Sequence, residues 1–146
     1  MAMDMIDEAK KSMVPPFEIS VFADPSGAFT TAAGMVAVTE KALKEKFNLS
    51  LADTKITILG GTGPVGVVSA VITAKAGADV CLVGRNPEKT EKIVSICNDR
   101  YESKNVKVGV DADKKSILSN TDIVFGTADP VSYTHLRAHE TEADIV

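Results

Sequence analysis

An α/β fold built on a doubly wound parallel sheet is what this sequence predicts, and three observations carry it. From Lys55 onward, short strand-like runs alternate with longer helix-patterned ones. The short runs are almost wholly apolar, as strands covered on both faces must be. The first of them is joined to its helix by a glycine-rich turn, Ile58-Leu59-Gly60-Gly61-Thr62-Gly63-Pro64-Val65-Gly66.

Taken in order, residues 2–13 predict a helix, with Met5, Ile6, Ala9 and Met13 at helical spacing, stopped by Val14-Pro15-Pro16. Residues 17–23 (FEISVFA) are rich in strand formers and predict a strand. Asp24-Pro25-Ser26-Gly27 is turn chemistry. A long helix is expected over 31–47, with Thr30 or Thr31 as its cap and Glu40/Lys44 paired on its wet face. Strands follow at 55–59, 79–83, 106–110 and 122–126, and helices at 64–77, 87–103 and 113–120. Asn86 is the expected cap of the 87–103 helix, and Pro87 takes its first turn.

The 146 residues are 45% hydrophobic and 25% charged, the make-up of an ordinary globular protein. A net charge of -4 argues against nucleic acid as a partner. No apolar run approaches the roughly 20 residues of a membrane-spanning helix, and the first residues lack a signal-peptide core, so the expected location is cytoplasmic. Cys81 and Cys97 have no metal-ligand spacing and are read as small buried side chains; no metal is expected.

Both histidines, His135 and His139, lie in Val131–Thr141 (VSYTHLRAHET), which reads as the translation of a transposase-type sequencing adapter. Residues 130–146 are therefore expected to be non-native, and Met1 is read as an internal methionine.

The glycine-rich turn carries the chemistry. Gly61, Gly63 and Gly66 form GxGxxG between a strand and a helix, the phosphate-binding turn of a Rossmann unit. Gly61 is expected to allow the tight turn, Gly63 to admit a pyrophosphate, and Gly66 to let helix and strand pack. Pro64 loses little in a first turn, and the free N–H groups around Thr62, Val65 and Gly66 favour an anion. After the second strand the chain runs Gly84-Arg85-Asn86, with no carboxylate for a ribose 2′-hydroxyl. Arg85, helped by Asn86 and Lys89, suits a 2′-phosphate, so the expected cofactor is NADP, with NAD possible. Thr127 and Ala128, ending the fourth strand, stand where such domains meet the cofactor's ribose.

Ahead of this unit, Asp24, Ser26, Thr30 and Thr31 gather polar groups at a helix start. Physical chemistry alone leaves a substrate site and a plain capped turn equally open.

Together, FADPSGAFTTAAGMVA, ILGGTGPVG and LVGRNPEK resemble the NADP-dependent methylene-tetrahydromethanopterin and methylene-tetrahydrofolate dehydrogenases of bacterial one-carbon metabolism. The resemblance spans residues 1–128. It implies hydride transfer from the methylene group of a reduced pterin to NADP, in a homo-oligomer with more chain at both ends. It also implies that residues 1–50 end a pterin-binding substrate domain and connecting helix, and that 51–129 are the first half of the NADP-binding domain. Asp24 becomes the candidate for orienting the pterin or stabilising developing positive charge, with Ser26, Thr30 and Thr31 as lesser contacts.

An extended short-chain dehydrogenase would need a YxxxK pair, and Tyr101-Glu102-Ser103-Lys104 has the wrong spacing. A shikimate-dehydrogenase-like oxidoreductase and a non-catalytic NADP-binding module stay open as alternatives.

Overall fold

A computed structural model of the chain describes residues 2–100, 105–110 and 114–128. At its centre four parallel strands lie in the order β3-β2-β1-β4: β1 (Lys55–Leu59), β2 (Asp79–Gly84), β3 (Val106–Val110) and β4 (Ile123–Gly126). Every neighbouring pair is parallel, with Ile58 opposite both Leu82 and Phe125, and Val80 opposite Val106. The helices are α1 (Ala2–Lys11), α2 (Ala28–Ala42), α3 (Pro64–Lys75), α4 (Pro87–Arg100) and α5 (Lys114–Ser119). This is an α/β fold with helices flanking a parallel sheet, as the strand–helix alternation demands.

Alternation along each strand decides which side chains form the core. Ile56 and Ile58 of β1, Val80 and Leu82 of β2, Val106 of β3 and Phe125 of β4 share one face. They make one apolar cluster with Ala70 and Ala74 of α3, Val94 and Cys97 of α4, and Val36 of α2. Burying aliphatic side chains of this size contributes about 1.5–3 kcal/mol each. The other face carries Thr57, Cys81, Lys107 and Val124 in register. There, α5 and its following residues border a cavity of about 360 Å³ lined by Thr57, Cys81, Ile117 and Thr121 among others. Burial raises the thiol pKa of both Cys97 in the core and Cys81 on this second face, with nearby Asp79 adding to the rise at Cys81, so both thiols stay neutral.

The start of β4 is tied to β1 by side chains. Asp122 accepts the Lys55 N–H at 2.8 Å and returns its own N–H to the Lys55 carbonyl at 2.9 Å. Buried Thr57 meets Thr121 at 2.7 Å, and the Thr121 hydroxyl donates to the Ile117 carbonyl.

Residues 17–23 differ from expectation: they form no strand. Strand propensity needs a neighbouring strand to become a ladder, and none lies beside this segment among the described residues. Phe17, Ile19 and Phe22 are left 81%, 74% and 75% exposed. The following helix also starts earlier than expected. A single turn at Pro25–Gly27 leads into α2 at Ala28, so Thr30 and Thr31 lie inside the helix and do not cap it. Past Ala42 the helix loosens into a π-helical stretch, Leu43–Phe47, closed by Asn48 in the left-handed conformation with Leu49 N–H on the Leu43 carbonyl. Among the described residues the i,i+4 ion pair here joins Lys41 of α2 to Glu45 of the π-helical stretch at 3.8 Å, one position on from the expected Glu40/Lys44 pair.

α2 packs along α3; its π-helical continuation ends at Phe47, and Ala52, five residues further on, sits against Gly77, just after α3. The two helices therefore run the same way, and their N-termini share the carboxyl end of the sheet. No helix among the described residues is long and apolar enough to cross a membrane. His135, His139 and the segment 131–141 lie outside the described residues, as does the Tyr101–Lys104 run.

Candidate dinucleotide site

The turn between β1 and α3 is made by four glycines with four distinct reasons to be glycine. Gly60, outside the GxGxxG triplet, has φ +72 and makes the tight turn expected of Gly61. Sequence reasoning missed it because the motif begins one residue later; its signal was the doubled glycine at the strand end. Gly60 also lies hard against Ala128, whose Cβ would be 2.6 Å from a Cβ placed there. Gly61 donates its N–H to the Val83 carbonyl at 3.1 Å, and any side chain on it would run into Leu82.

Gly66 is the packing glycine. A Cβ there would lie 2.6 Å from Gly61 Cα and 2.8 Å from Thr127 Oγ1. Gly63 is different: its N–H closes the turn onto the Gly60 carbonyl, and a Cβ would meet only that oxygen, at 3.6 Å. The space above Gly63 is open. Pro64 occupies the first turn of α3, and the N–H groups of Val65 and Gly66 have no acceptor among the described residues. Free N–H groups at a helix start, backed by the helix dipole and an open glycine, form a cradle for a phosphate.

Around this turn stand the other expected contacts. Arg85 follows β2 directly, is exposed, and makes no ion pair among the described residues. Asn86 caps α4, its Oδ1 accepting the Lys89 N–H at 3.0 Å. Thr127 sends both its N–H (2.9 Å) and its hydroxyl (3.0 Å) to the Leu59 carbonyl, pinning β4 to β1. Its oxygen remains able to accept, and Ala128 closes the floor beneath Gly60. Thr62 lies partly buried, its methyl against the end of β2 at Gly84.

Asp24, Ser26, Thr30 and Thr31 cluster at the N-terminus of α2. Asp24 Oδ1 accepts the Phe29 N–H at 2.7 Å and the Thr30 N–H at 3.3 Å, while Oδ2 accepts the Thr30 hydroxyl. The Thr30 hydroxyl bond, with the two N–H bonds, holds the Asp24 carboxyl below the usual carboxylate range. Ser26 is exposed in a left-handed conformation (φ 54), and Thr31 is exposed one residue beyond Thr30. The parallel run of α2 and α3 puts this cluster at the same end of the molecule as the glycine turn. Among the described residues no hydrogen bond joins the two groups.

Strand order, parallel register and a glycine turn opening on free helix N–H groups define a Rossmann-like α/β unit. Comparison with known proteins is more specific. The chain is similar to the NAD(P)-dependent methylenetetrahydromethanopterin dehydrogenase of Methylorubrum extorquens, 40% identical over 98% of its own length. It is also 37% identical, over 77% of its length, to the bifunctional protein MdtA of the same organism. The first of these carries a name of the kind that the three motifs resemble. It spans about half of the first relative (49%) and 37% of the second. The first match reaches beyond Asp129 into the histidine-bearing segment. No family model matches the chain.

Proposed function

We propose that this chain is the dinucleotide-holding part of a dehydrogenase that moves a hydride from the methylene group of methylene-tetrahydromethanopterin, or its folate counterpart, to NADP. One observation carries the reading: the open glycine, Gly63, beside Val65 and Gly66 N–H groups that have no acceptor among the described residues, in a chain 40% identical to an NAD(P)-dependent methylenetetrahydromethanopterin dehydrogenase. NADP, when bound, supplies the hydride acceptor.

The chain's own residues hold and aim that acceptor. The turn Gly61-Thr62-Gly63-Pro64-Val65-Gly66 takes the diphosphate against the N-terminus of α3. Arg85, with the Asn86 amide nitrogen, takes the 2′-phosphate, and a cation without a competing carboxylate favours NADP while leaving NAD usable. Thr127 and Ala128 border the ribose side.

Removing hydride from a carbon between two nitrogens leaves a delocalised cation, so no proton has to move in that step. What helps is placement and negative potential. Asp24 fits that role: its hydrogen bonds keep it ionised, and it stands at the end of the molecule where the cofactor turn lies. Ser26, Thr30 and Thr31 line the approach to it. Residues 1–50 then belong to the pterin side and residues 51–129 to the cofactor side. The whole enzyme is a cytoplasmic homo-oligomer.

The test is the full-length protein assayed with methylene-tetrahydromethanopterin and NADP. Pterin-dependent NADPH formation supports the reading; NADP binding without turnover favours a non-catalytic module; turnover with shikimate-type substrates alone refutes it.

A further inference from the structure

Gly84 ends β2 immediately before Arg85, and it is buried. Its φ is outside the left-handed region, so its backbone would accept any residue. What excludes a side chain is contact. A Cβ at Gly84 would lie 2.5 Å from Thr90 Oγ1 and 2.6 Å from Thr62 Cγ2.

Neither neighbour is free to give way. Thr90 is fully buried, and its hydroxyl and N–H both go to the Asn86 carbonyl, at 2.8 and 3.0 Å. Thr62 is β-branched and stiff, and its flanking residues are fixed by Gly61 N–H on Val83 and Gly63 N–H on Gly60. The bare Cα of Gly84 is therefore the point where the phosphate turn and the start of α4 close on each other. Arg85 is the next residue.

We propose that Gly84 is a specificity-determining residue: by carrying no side chain it lets Thr62 and Thr90 meet over β2, and so sets the distance between the phosphate turn and Arg85. This inference rests on the dinucleotide reading above and extends it. A dinucleotide with a 2′-phosphate presents two anionic groups joined through one ribose, so their separation is limited by covalent geometry. It engages the N–H groups of α3 and the Arg85 guanidinium together only when the protein holds them at the matching spacing. A dinucleotide without that phosphate uses the first site alone and is indifferent to the second. Displacing the turn from Arg85 thus costs the two cofactors unequally, which is how a contact discriminates.

The experiment uses the full-length enzyme and calorimetric titration with NADP and with NAD. In Gly84→Ala the ratio of NADP to NAD affinity falls about tenfold, a difference of about 1.4 kcal/mol. A merely structural glycine would weaken both cofactors alike, and an unchanged ratio overturns the proposal. Should the alanine variant not fold, Thr62→Ser removes the methyl from the same contact without adding atoms. It lowers the same ratio if the proposal holds, and an unchanged ratio overturns it. Wild-type protein that binds neither dinucleotide overturns the dinucleotide reading and this inference with it. Normal wild-type binding with an unshifted ratio in the variants overturns the spacing role alone.

Discussion

Gly66, in the first turn of α3, rests directly on Gly61, with room for no atom between them: a Cβ on Gly66 would lie 2.6 Å from Gly61 Cα. The same Cβ would lie 2.8 Å from Thr127 Oγ1, so helix, turn and β4 meet at one point. Gly66→Ala is expected to destabilise the protein by about 1–3 kcal/mol, the usual cost of overpacking a tight site. Chemical denaturation checks this. A variant as stable as the wild type would mean that the three elements do not meet at that point.

Arg85 is exposed and has no ion-pair partner among the described residues, so removing it leaves no buried charge behind. Arg85→Ala should therefore preserve stability while weakening NADP by about 1.5–3 kcal/mol, the range for hydrogen bonds to a charged group. NAD affinity should stay nearly unchanged. Parallel titrations with both cofactors decide it, and equal losses for the two would remove Arg85 from the 2′-phosphate site.

Much of the sheet and of the cofactor turn is legible in the residues themselves. The β1 and β3 bounds follow from the apolar runs alone, and Asn86 caps α4 as its residue type implies. The three motif glycines sit at a strand–helix turn, as the motif requires. What is not legible depends on tertiary neighbours. The propensity of residues 17–23 says strand, but the ladder partner that would realise it is absent among the described residues. The start of α2 escapes a reading of adjacent residues because Gly27 holds the cap position and the first N–H groups go back to Asp24, not to a neighbouring threonine. That carboxylate reaches forward to Phe29 across a turn in which Ser26, at φ 54, and Gly27, at φ 70, are both left-handed. The turn role falls to Gly60 and not to Gly61 because a backbone angle, not a residue type, decides it. Gly84 carries no motif at all, since its demand arises from Thr62 and Thr90 in other elements.

Asp24 gives a pH-dependent prediction. Its hydrogen bonds lower its pKa in the folded state, so its contribution to stability is fully present above the ordinary carboxylate pKa. That contribution is lost as the pH falls through the depressed folded-state value. Wild-type protein should accordingly be more stable than Asp24→Asn near neutrality, and the gap should narrow in acid below the usual carboxylate range. Denaturant unfolding across that range reads it directly. A gap that does not change with pH would show the carboxylate to be unpaired in the folded protein.

For the segment Val131–Thr141, resequencing the source DNA across the codon for Pro130 is decisive. A frame that continues with different residues supports the adapter reading. The same residues encoded in the native gene would contradict it.

The central claim is that the open face of Gly63 receives a dinucleotide phosphate, and titration of NADP into full-length wild type and Gly63→Ala tests it most directly. Because a Cβ at Gly63 meets only the Gly60 carbonyl, at 3.6 Å, the variant should keep its stability within about 1 kcal/mol. It should nonetheless lose NADP affinity about tenfold or more, since the methyl fills the space the phosphate needs. Undiminished NADP binding by the alanine variant would contradict the account.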